Sequence, residues 1–332
     1  MPKRDAARKV ASRPVAAGGQ DAIAMYEPLL ADREQKLGAE HPNTLLTRNN
    51  LANAYREAGR IQDAIATLER LRADLERSLG AEHPNTLLTR TNLAAAYREA
   101  GRIKDAIEIY EPLLADRDRL AGPKHPDTLA TRGNLANAYQ TAGRTKDAIA
   151  IFEPLLATLE RVLGPEHLNT LATRGNLANA YQDAGRSHDA ITIFEPLLAD
   201  HERSLGPEHP VTLSTRGNLA NAYQAAGRTH DAHAIYEPLL ADRERVLGPQ
   251  HPSTLNLRGN LASAHQAAGR SKDAIAILEP LRDDLARVLG DEHPDTLASR
   301  GNLANAYQAA GRSKDAIAIL EPLRDDLARV LG

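Results

Sequence analysis

A repeat of 42 residues is the feature that most constrains the fold of this 332-residue chain. One histidine recurs at this interval seven times, and the dipeptide Asp-Ala recurs at it eight times. The histidines are His41, His83, His125, His167, His209, His251 and His293, and the aspartates are Asp21, Asp63, Asp105, Asp147, Asp189, Asp231, Asp273 and Asp315. One unit is too small to hide an apolar face alone, so the repeat predicts an array whose neighbouring units stack.

Each unit predicts two helices, as residues 126–164 illustrate. Pro126 suits a first helical turn, because its missing N–H would have no intrahelical partner there. Gly143 and Gly164 supply left-handed residues that end helices, and Thr145 is a good N-cap for the second helix. Apolar residues recur at helical spacing in both segments: Leu129, Leu135, Ala136, Tyr139 and Ala142, then Ala148, Ile149, Phe152, Leu155, Leu156, Leu159, Val162 and Leu163. The chain is predicted to be all-α, an α-solenoid of antiparallel helix pairs with seven first helices and eight second helices.

The domain organisation follows from the register. Residues 21–332 are expected to form a single solenoid of seven and a half repeats, in which residues 251–290 and 293–332 are nearly copies. Residues 1–20 are basic and contain Pro14, Gly18 and Gly19, so we expect a disordered tail or a frayed partial repeat. Solenoid ends usually carry polar caps. The absence of such caps here predicts either that the ends of the array associate or that the sequence is a segment of a longer chain.

Composition excludes several classes of function. The net charge of −3 gives no general attraction to nucleic acid or anionic membranes. The absence of cysteine removes disulfides and thiolate metal sites. No apolar run approaches the roughly 18 residues of a membrane span, and the N-terminus lacks the apolar stretch of a secretory signal. We therefore expect a cytoplasmic protein.

Catalytic motifs are also absent from the sequence. No P-loop, nucleophile elbow, HExxH or dinucleotide fingerprint appears. Polar residues that recur with the repeat are architectural by their periodicity, so neither an enzyme nor a cofactor is expected. The recurring histidines lie one repeat apart, too far to share a metal ion. We assign them a loop role beside the first-turn proline and expect no metal site, with His188, His201, His230 and His233 at the surface.

Leu135, Ala136, Tyr139, Gly143 and Ala148 resemble the signature of the tetratricopeptide repeat (TPR), a helix–turn–helix of about 34 residues. The unit here is about eight residues longer. With linkers such as LGPEHPVTL at 205–213, it is similar to the kinesin light chain subclass, which also forms sensor arrays of bacterial STAND-type signalling proteins. The resemblance implies a right-handed superhelix whose first helices line a concave groove, and binding of extended peptides or partner helices rather than catalysis. The departures from the pattern are His265 for tyrosine, Ala95 and Ser263 for asparagine, and Leu168 for proline.

Asparagines recur with the 42-residue period at two positions of the first helices, and glutamines recur at a third; each such set is called a column. The three positions are spaced three residues apart, so they share one helix face. Leu135, Tyr139 and Ala142 occupy the opposite face, so the polar columns are predicted to face the groove. In TPR modules that clamp the C-terminal carboxylates of heat-shock chaperones, asparagines at the matching positions contact the peptide. The resemblance implies that role here for Asn50, Asn53, Asn92, Asn134, Asn137, Asn176, Asn179, Asn218, Asn221, Asn260, Asn302 and Asn305. The shared face adds Gln140, Gln182 and Gln224 to the predicted groove.

Four other sets of residues recur with the repeat, and their periodicity suggests structural roles. The arginines Arg48, Arg90, Arg132, Arg174, Arg216, Arg258 and Arg300 are expected to pair with the glutamates Glu27, Glu69, Glu111, Glu153, Glu195, Glu237, Glu279 and Glu321. The alternative is that these arginines bind acidic groups of a ligand. The glycines Gly133, Gly175, Gly217, Gly259 and Gly301 leave room for a ligand or for the neighbouring helix. Prolines inside the second helices, such as Pro154, suggest a bend that follows the stack.

The sequence favours a non-enzymatic protein-interaction scaffold that binds an extended peptide or partner helix in an Asn/Gln-lined concave groove. Neither nucleic acid nor membrane is an expected partner. One alternative is a self-assembling array that associates through its uncapped ends, and another is the sensor segment of a larger signalling NTPase. Base-by-base RNA recognition by Asn and Arg is disfavoured by the net charge and by the lack of stacking aromatic residues.

Overall fold

The computed structural model describes residues 19–331, and all regular structure in that range is helical. The described range contains fifteen helices: α1 (Gly19–Leu37), α2 (Pro42–Glu57), α3 (Ile61–Leu79), α4 (Pro84–Glu99), α5 (Ile103–Leu120), α6 (Pro126–Thr141), α7 (Thr145–Leu163), α8 (Leu168–Asp183), α9 (Ser187–Leu205), α10 (Pro210–Ala225), α11 (Thr229–Val246), α12 (Pro252–Ala267), α13 (Ser271–Leu289), α14 (Pro294–Ala309) and α15 (Ser313–Leu331). The even-numbered helices are the seven predicted first helices, and the odd-numbered helices are the eight second helices. The all-α prediction is confirmed.

Two glycines in each repeat set the helix boundaries. Gly143 follows α6 with φ 73°, and Gly164 follows α7 with φ 92°. Glycine adopts this left-handed region at little cost. After α6, the backbone N–H of Arg144 donates to the carbonyl of Tyr139 at 2.8 Å, and that of Gly143 donates to Gln140 at 3.0 Å. These bonds satisfy carbonyls that the helix end leaves open, as the sequence predicted.

The recurring histidines are N-caps of the even-numbered helices. The Nδ1 atom of His167 accepts a hydrogen bond from the backbone N–H of Asn169 at 3.1 Å, and the other six histidines make the equivalent bond. Proline stands at the first helical position, except for Leu168 in α8. The loop role is therefore confirmed. The predicted N-cap Thr145 is wrong, because α7 begins at that residue itself.

The described residues fall into two compact units, one ending at Val162 and the other starting at Leu163. Within the second unit, α9 to α14 each pack on the helices before and after them in the chain, and successive even-numbered helices also touch. The first unit repeats this arrangement from α1 to α6. The fold class, a solenoid of antiparallel helix pairs, is confirmed. One solenoid over residues 21–332 stays a prediction.

The core of each unit consists of the predicted apolar stripes. Leu135, Ala136 and Tyr139 of α6 are buried, as are Phe152 and Leu155 of α7. The stripes extend less far than predicted at the helix ends, since the residues that follow the last buried turn are exposed: Ala142, Val162 and Leu163.

The prolines inside the odd-numbered helices are also observed, and Pro154 is exposed there. None of the helices in the described range is both long and apolar enough to cross a bilayer. α1 starts at Gly19, two residues earlier than the predicted array, and the rest of the predicted tail, residues 1–18, lies outside the described residues.

Candidate binding surface

The predicted asparagines and glutamines lie along one face of the even-numbered helices and are half-buried, apart from the exposed Asn305. Several of them join neighbouring even-numbered helices. The Nδ2 atom of Asn218 donates to Oδ1 of Asn179 at 3.1 Å, and that of Asn260 donates to Oδ1 of Asn221 at 3.0 Å. Gln182 donates to the backbone carbonyl of Asn218 at 3.3 Å. The polar stripe is thus part of the packing between repeats.

These bonds leave hydrogen-bonding capacity on the stripe. An asparagine side chain carries two N–H donors and an oxygen with two lone pairs, and the bond between Asn218 and Asn179 uses one of each. In the first unit, the Nδ2 atom of Asn92 donates to Oδ1 of Asn49, which stands where later repeats have glycine. The stripe therefore positions its own amides and still presents polar atoms beside open space.

Open troughs lie between successive even-numbered helices, with an odd-numbered helix as the floor. The trough between α8 and α10 has a volume of about 540 Å³, and Asn176, Asn179 and Asn218 lie along it. Its floor is apolar and includes Leu197 and Leu205 of α9. The sequence analysis did not predict that an amide rim and an apolar floor would border one open space.

The trough between α12 and α14 repeats this design with a volume of about 500 Å³. Asn260 and Asn302 lie along it, and Leu281 and Leu285 of α13 form the floor. Between α2 and α4 the corresponding space is only about 60 Å³, and the exposed Leu46 lies there. The wide troughs of the second unit are therefore the better candidate sites.

His201 lies beside the trough between α8 and α10, although the sequence predicted a surface position. The side chain is buried, and its Nδ1 atom is 3.0 Å from Oγ1 of Thr215. Burial lowers the pKa of His201 below its ordinary value, so the neutral imidazole is favoured. The prediction was wrong because Thr215 comes from the next helix, which the pattern within α9 does not reveal.

Arg243 occupies the matching position of α11 and lies beside the trough between α12 and α14. Its guanidinium is buried and donates to the backbone carbonyls of Ser253 at 2.7 Å and Leu213 at 3.0 Å. Burial lowers the pKa of Arg243. Carbonyl oxygens hold this cation between α10 and α12, so it supports the trough wall rather than carrying an exposed charge.

The arginine column is structural, but its predicted partners are wrong. Arg258 bonds Asp284 of the following odd-numbered helix at 2.8 Å and Glu244 of the preceding one at 2.6 Å. Equivalent aspartate pairs occur in five other repeats. Arg132 bonds Asp118 of the preceding helix instead, because Thr158 replaces the usual aspartate. These pairs are held between helices and are not offered to a ligand.

The glutamate column instead accepts a hydrogen bond from the signature tyrosine of the next repeat. Tyr139 donates its hydroxyl to Oε1 of Glu111 at 2.7 Å. The same bond joins Tyr55 to Glu27, Tyr97 to Glu69, Tyr223 to Glu195 and Tyr307 to Glu279. Burial and this bond raise the pKa of Tyr97 and of Tyr223 to about 12. The pairing tells us why Tyr and Glu share the period of the repeat.

An arginine completes this junction. The guanidinium of Arg144 lies 4.0 Å from the ring centre of Tyr139, and its Nε donates to Asp147 at 2.7 Å. A guanidinium over a tyrosine face is attracted by the ring quadrupole. The recurring Gly-Arg and Asp-Ala dipeptides therefore meet at the start of α3, α5, α7, α9, α11 and α15, where the arginine lies over the tyrosine ring.

The glycine column faces the next odd-numbered helix. A β-carbon at Gly175 would lie 3.6 Å from Cδ2 of Leu197, an ordinary contact distance. At Gly217 it would lie 2.9 Å from Nη2 of Arg243, so this glycine makes room for the buried guanidinium. The neighbouring helix therefore explains the glycine at Gly217, whereas a methyl group would fit at Gly175, which also lines the trough between α8 and α10.

Comparisons with known proteins agree with this geometry. The sequence patterns of the tetratricopeptide repeat match residues 19–76, 50–118, 105–160, 127–195 and 171–241, and a second set matches residues 254–295 and 296–332. No curated protein sequence matches at a significant level.

Three solved structures illustrate the range of similarity. A putative kinesin light chain of nearly identical TPR-like repeats from Podosopora anserina is 33% identical, with 62% of this chain and 98% of that chain covered and a TM-score of 0.56. A STAND protein with a TPR sensor from Pyrococcus horikoshii is 13% identical, covering 91% of this chain and 43% of that chain, with a TM-score of 0.65. A Rap protein complexed with competence and sporulation factor is 9% identical, covering 94% and 98%, with a TM-score of 0.58.

The last two similarities concern the fold alone. The first extends to sequence over nearly the whole length of the other chain, and the family patterns cover most of the described residues. The signature tyrosine, glycine and alanine occupy the junctions described above. This chain belongs to the tetratricopeptide repeat family.

Proposed function

We propose that the chain is a non-enzymatic interaction module that binds an extended peptide segment or a partner helix along the troughs of the second unit. The supporting observation is the pair of troughs of about 540 and 500 Å³, each with an apolar floor and an asparagine rim. These volumes fall within the range of about 300–1,000 Å³ that binding pockets usually have.

The two kinds of surface have different tasks in this proposal. The apolar lining of the α8–α10 trough, with the exposed Leu168 and Val211 and the half-buried Leu205, receives apolar side chains of the partner and provides most of the affinity through their burial. The amides of Asn176 and Asn218 pair with backbone N–H and C=O groups of the partner. We expect a partner segment with few charges and with apolar side chains at regular spacing.

The first experiment screens the labelled chain against an array of 15-residue peptides with varied apolar spacing. A variant that fills the α8–α10 trough, A172W/S214W, tests where binding occurs. Ala172 and Ser214 are exposed and line that trough, so the indole rings should block it without disturbing the core. The matched control is T192W, an exposed position of α9 outside the trough.

We expect peptides that bind the wild type and T192W equally but bind A172W/S214W at least tenfold more weakly, with helical circular dichroism unchanged in all three. The proposal fails for this trough if the plugged variant retains the wild-type affinity. It fails altogether if no peptide binds the folded wild type above background.

A further inference from the structure

The junction between α11 and α12 differs from the other junctions at two positions. His265 replaces the signature tyrosine, and His233 replaces an isoleucine that recurs at the same position in all seven other odd-numbered helices. Both changes meet at one contact, where the two imidazole ring centres are 4.6 Å apart with their planes tilted by 43°. Glu237, the member of the glutamate column that would otherwise accept the tyrosine hydroxyl, is still present.

These three side chains form a compact donor set. His233 and Glu237 lie four residues apart on α11 and so share one face of that helix, and His265 faces them from α12. One ligand atom from each lies within 4.8 Å of the other two. Among residues 19–331, this is the only group of three histidine or acidic side chains that meets this distance.

Most of the imidazole nitrogens in this group have no hydrogen-bond partner within the described residues. Both ring nitrogens of His233 and Nδ1 of His265 are buried without a hydrogen-bond partner. Buried polar atoms normally have partners. At five other junctions a Tyr–Glu hydrogen bond joins the two helices, whereas here the substitutions leave buried ring nitrogens without partners.

We propose that His233, Glu237 and His265 bind a divalent transition-metal ion, zinc foremost, that bridges α11 and α12. Imidazole and carboxylate ligands suit zinc, whereas calcium and magnesium prefer sites made of oxygen atoms. Bond lengths of about 2.0–2.2 Å place neighbouring ligand atoms about 3.4 Å apart. In this proposal, side-chain rotation brings the ligand atoms from their present separations of up to 4.8 Å to that value, and water completes a fourth position.

The surrounding charges suit this assignment. Glu237 supplies a negative charge at the exposed side of the group. The Nε atom of Arg270 is bonded to Asp273 at 2.7 Å and is therefore held in place. The metal would replace the Tyr–Glu bond as the link between these two repeats, independently of any peptide bound in the troughs.

The test uses the full chain without a polyhistidine tag, stripped with a chelator and titrated with ZnCl₂ by calorimetry. The control is H233I/H265Y, which restores the residues found at the other junctions and should fold at least as well as the wild type. We expect one equivalent of zinc to bind the wild type, with at least 100-fold weaker binding to H233I/H265Y. Cobalt should give the visible absorption of a tetrahedral site in the wild type alone, and zinc should raise only the wild-type Tm.

Equal zinc affinity for the two proteins would assign binding to other histidines, such as the exposed His230, and would overturn the proposal. So would the absence of stoichiometric binding by a wild type whose circular dichroism shows an intact helical fold. E237Q provides a further check, since it retains the shape of the side chain but weakens a carboxylate ligand. An E237Q variant with the wild-type affinity would remove Glu237 from the donor set and contradict the site as proposed.

Discussion

α13 and α15 have identical sequences of nineteen residues but different surroundings. Ile275 and Leu278 of α13 are 6% and 1% exposed, whereas the equivalent Ile317 and Leu320 of α15 are 53% and 43% exposed. In the described residues, α13 packs between α12 and α14, and α15 packs on α14. The apolar stripe of an odd-numbered helix thus has two parts, and the second is buried only by the next even-numbered helix.

The part that faces the preceding helix is alike in both copies. Leu281 and Leu323 are both buried. Asp284 and Asp326 each bind the arginine of the even-numbered helix before them, Arg258 at 2.8 Å and Arg300 at 2.6 Å. The difference between the copies therefore teaches that burial is a property of the junction and not of the helix sequence.

The largest expected effect comes from truncating Leu278 of α13, which is buried, whereas the equivalent Leu320 of α15 is exposed. L278A should lower the free energy of unfolding by about 2–5 kcal/mol, because it leaves a cavity between α13 and α14. L320A should cost less than about 1 kcal/mol, since its side chain is already half in water. Urea unfolding followed by circular dichroism measures both. Equal losses in L278A and L320A would contradict the comparison. As controls, L281A and L323A should each be clearly destabilising, because both leucines are buried.

The next effect concerns the glutamates of the same two helices. Glu279 accepts the hydroxyl of Tyr307 at 2.5 Å, so E279A should cost about 1 kcal/mol in the free energy of unfolding. E321A should change little, because no tyrosine of the described residues reaches Glu321. In a double-mutant cycle, Y307F should cost clearly less in the E279A background than in the wild type, because the hydrogen bond is already lost. A fully additive loss would show that the two side chains act separately.

Replacing glycines by alanine tests the part of the apolar stripe that is buried alike in α13 and α15. A β-carbon at Gly259 would meet Leu281 at 3.8 Å, and one at Gly301 would meet Leu323 at 3.9 Å. Both G259A and G301A should therefore stabilise the protein by about 0.5–1 kcal/mol through helix propensity. G217A should gain less, because its methyl group displaces Arg243. Thermal unfolding of the three variants would contradict this account if G217A were the most stabilising.

The smallest effect is a shift in the alkaline titration of one phenol. Burial and the bond to Glu279 raise the pKa of Tyr307 above its ordinary 10.0. The protonated phenol is favoured in the folded state, so this contribution is complete below pH 10 and is lost as the pH rises through the raised pKa. E279Q should lower the pKa of Tyr307, measured as the ultraviolet difference between parent and Y307F titrations. E321Q should leave that titration unchanged, and a shift in both variants would contradict a specific contact.

The repeat predicted much of this architecture because its signals are local. Proline, glycine and the apolar spacing placed α6 within two residues of its observed end, and the polar columns were correctly assigned to one helix face. Contacts between helices were harder to predict. Arg258 and the glutamate column have matching periods, yet Arg258 reaches Asp284 and Glu244. Periodicity shows that two columns recur together, but not how far apart their side chains lie.

The candidate site was only partly predictable for the same reason. Asn176 and Asn218 could be placed on the polar face, but the trough beside them depends on how far α8 and α10 separate over α9. Likewise the sequence analysis treated His265 as a departure from the signature and His233 as a surface residue, because they are 32 residues apart in the chain. The surface prediction for His233 was wrong, since both of its ring nitrogens are buried. The helix packing alone reveals that the two substitutions meet.

The links between helices have one further consequence, for folding and for the growth of the array. The Tyr–Glu bonds span 28 residues and the Arg–Asp pairs span 26, both shorter than one 42-residue period. Chains dominated by such near-neighbour contacts fold rapidly, since little loop entropy is lost before each contact forms. A whole period can therefore be inserted or removed while every remaining junction keeps its partners. The near-identity of residues 251–290 and 293–332 is compatible with such an insertion.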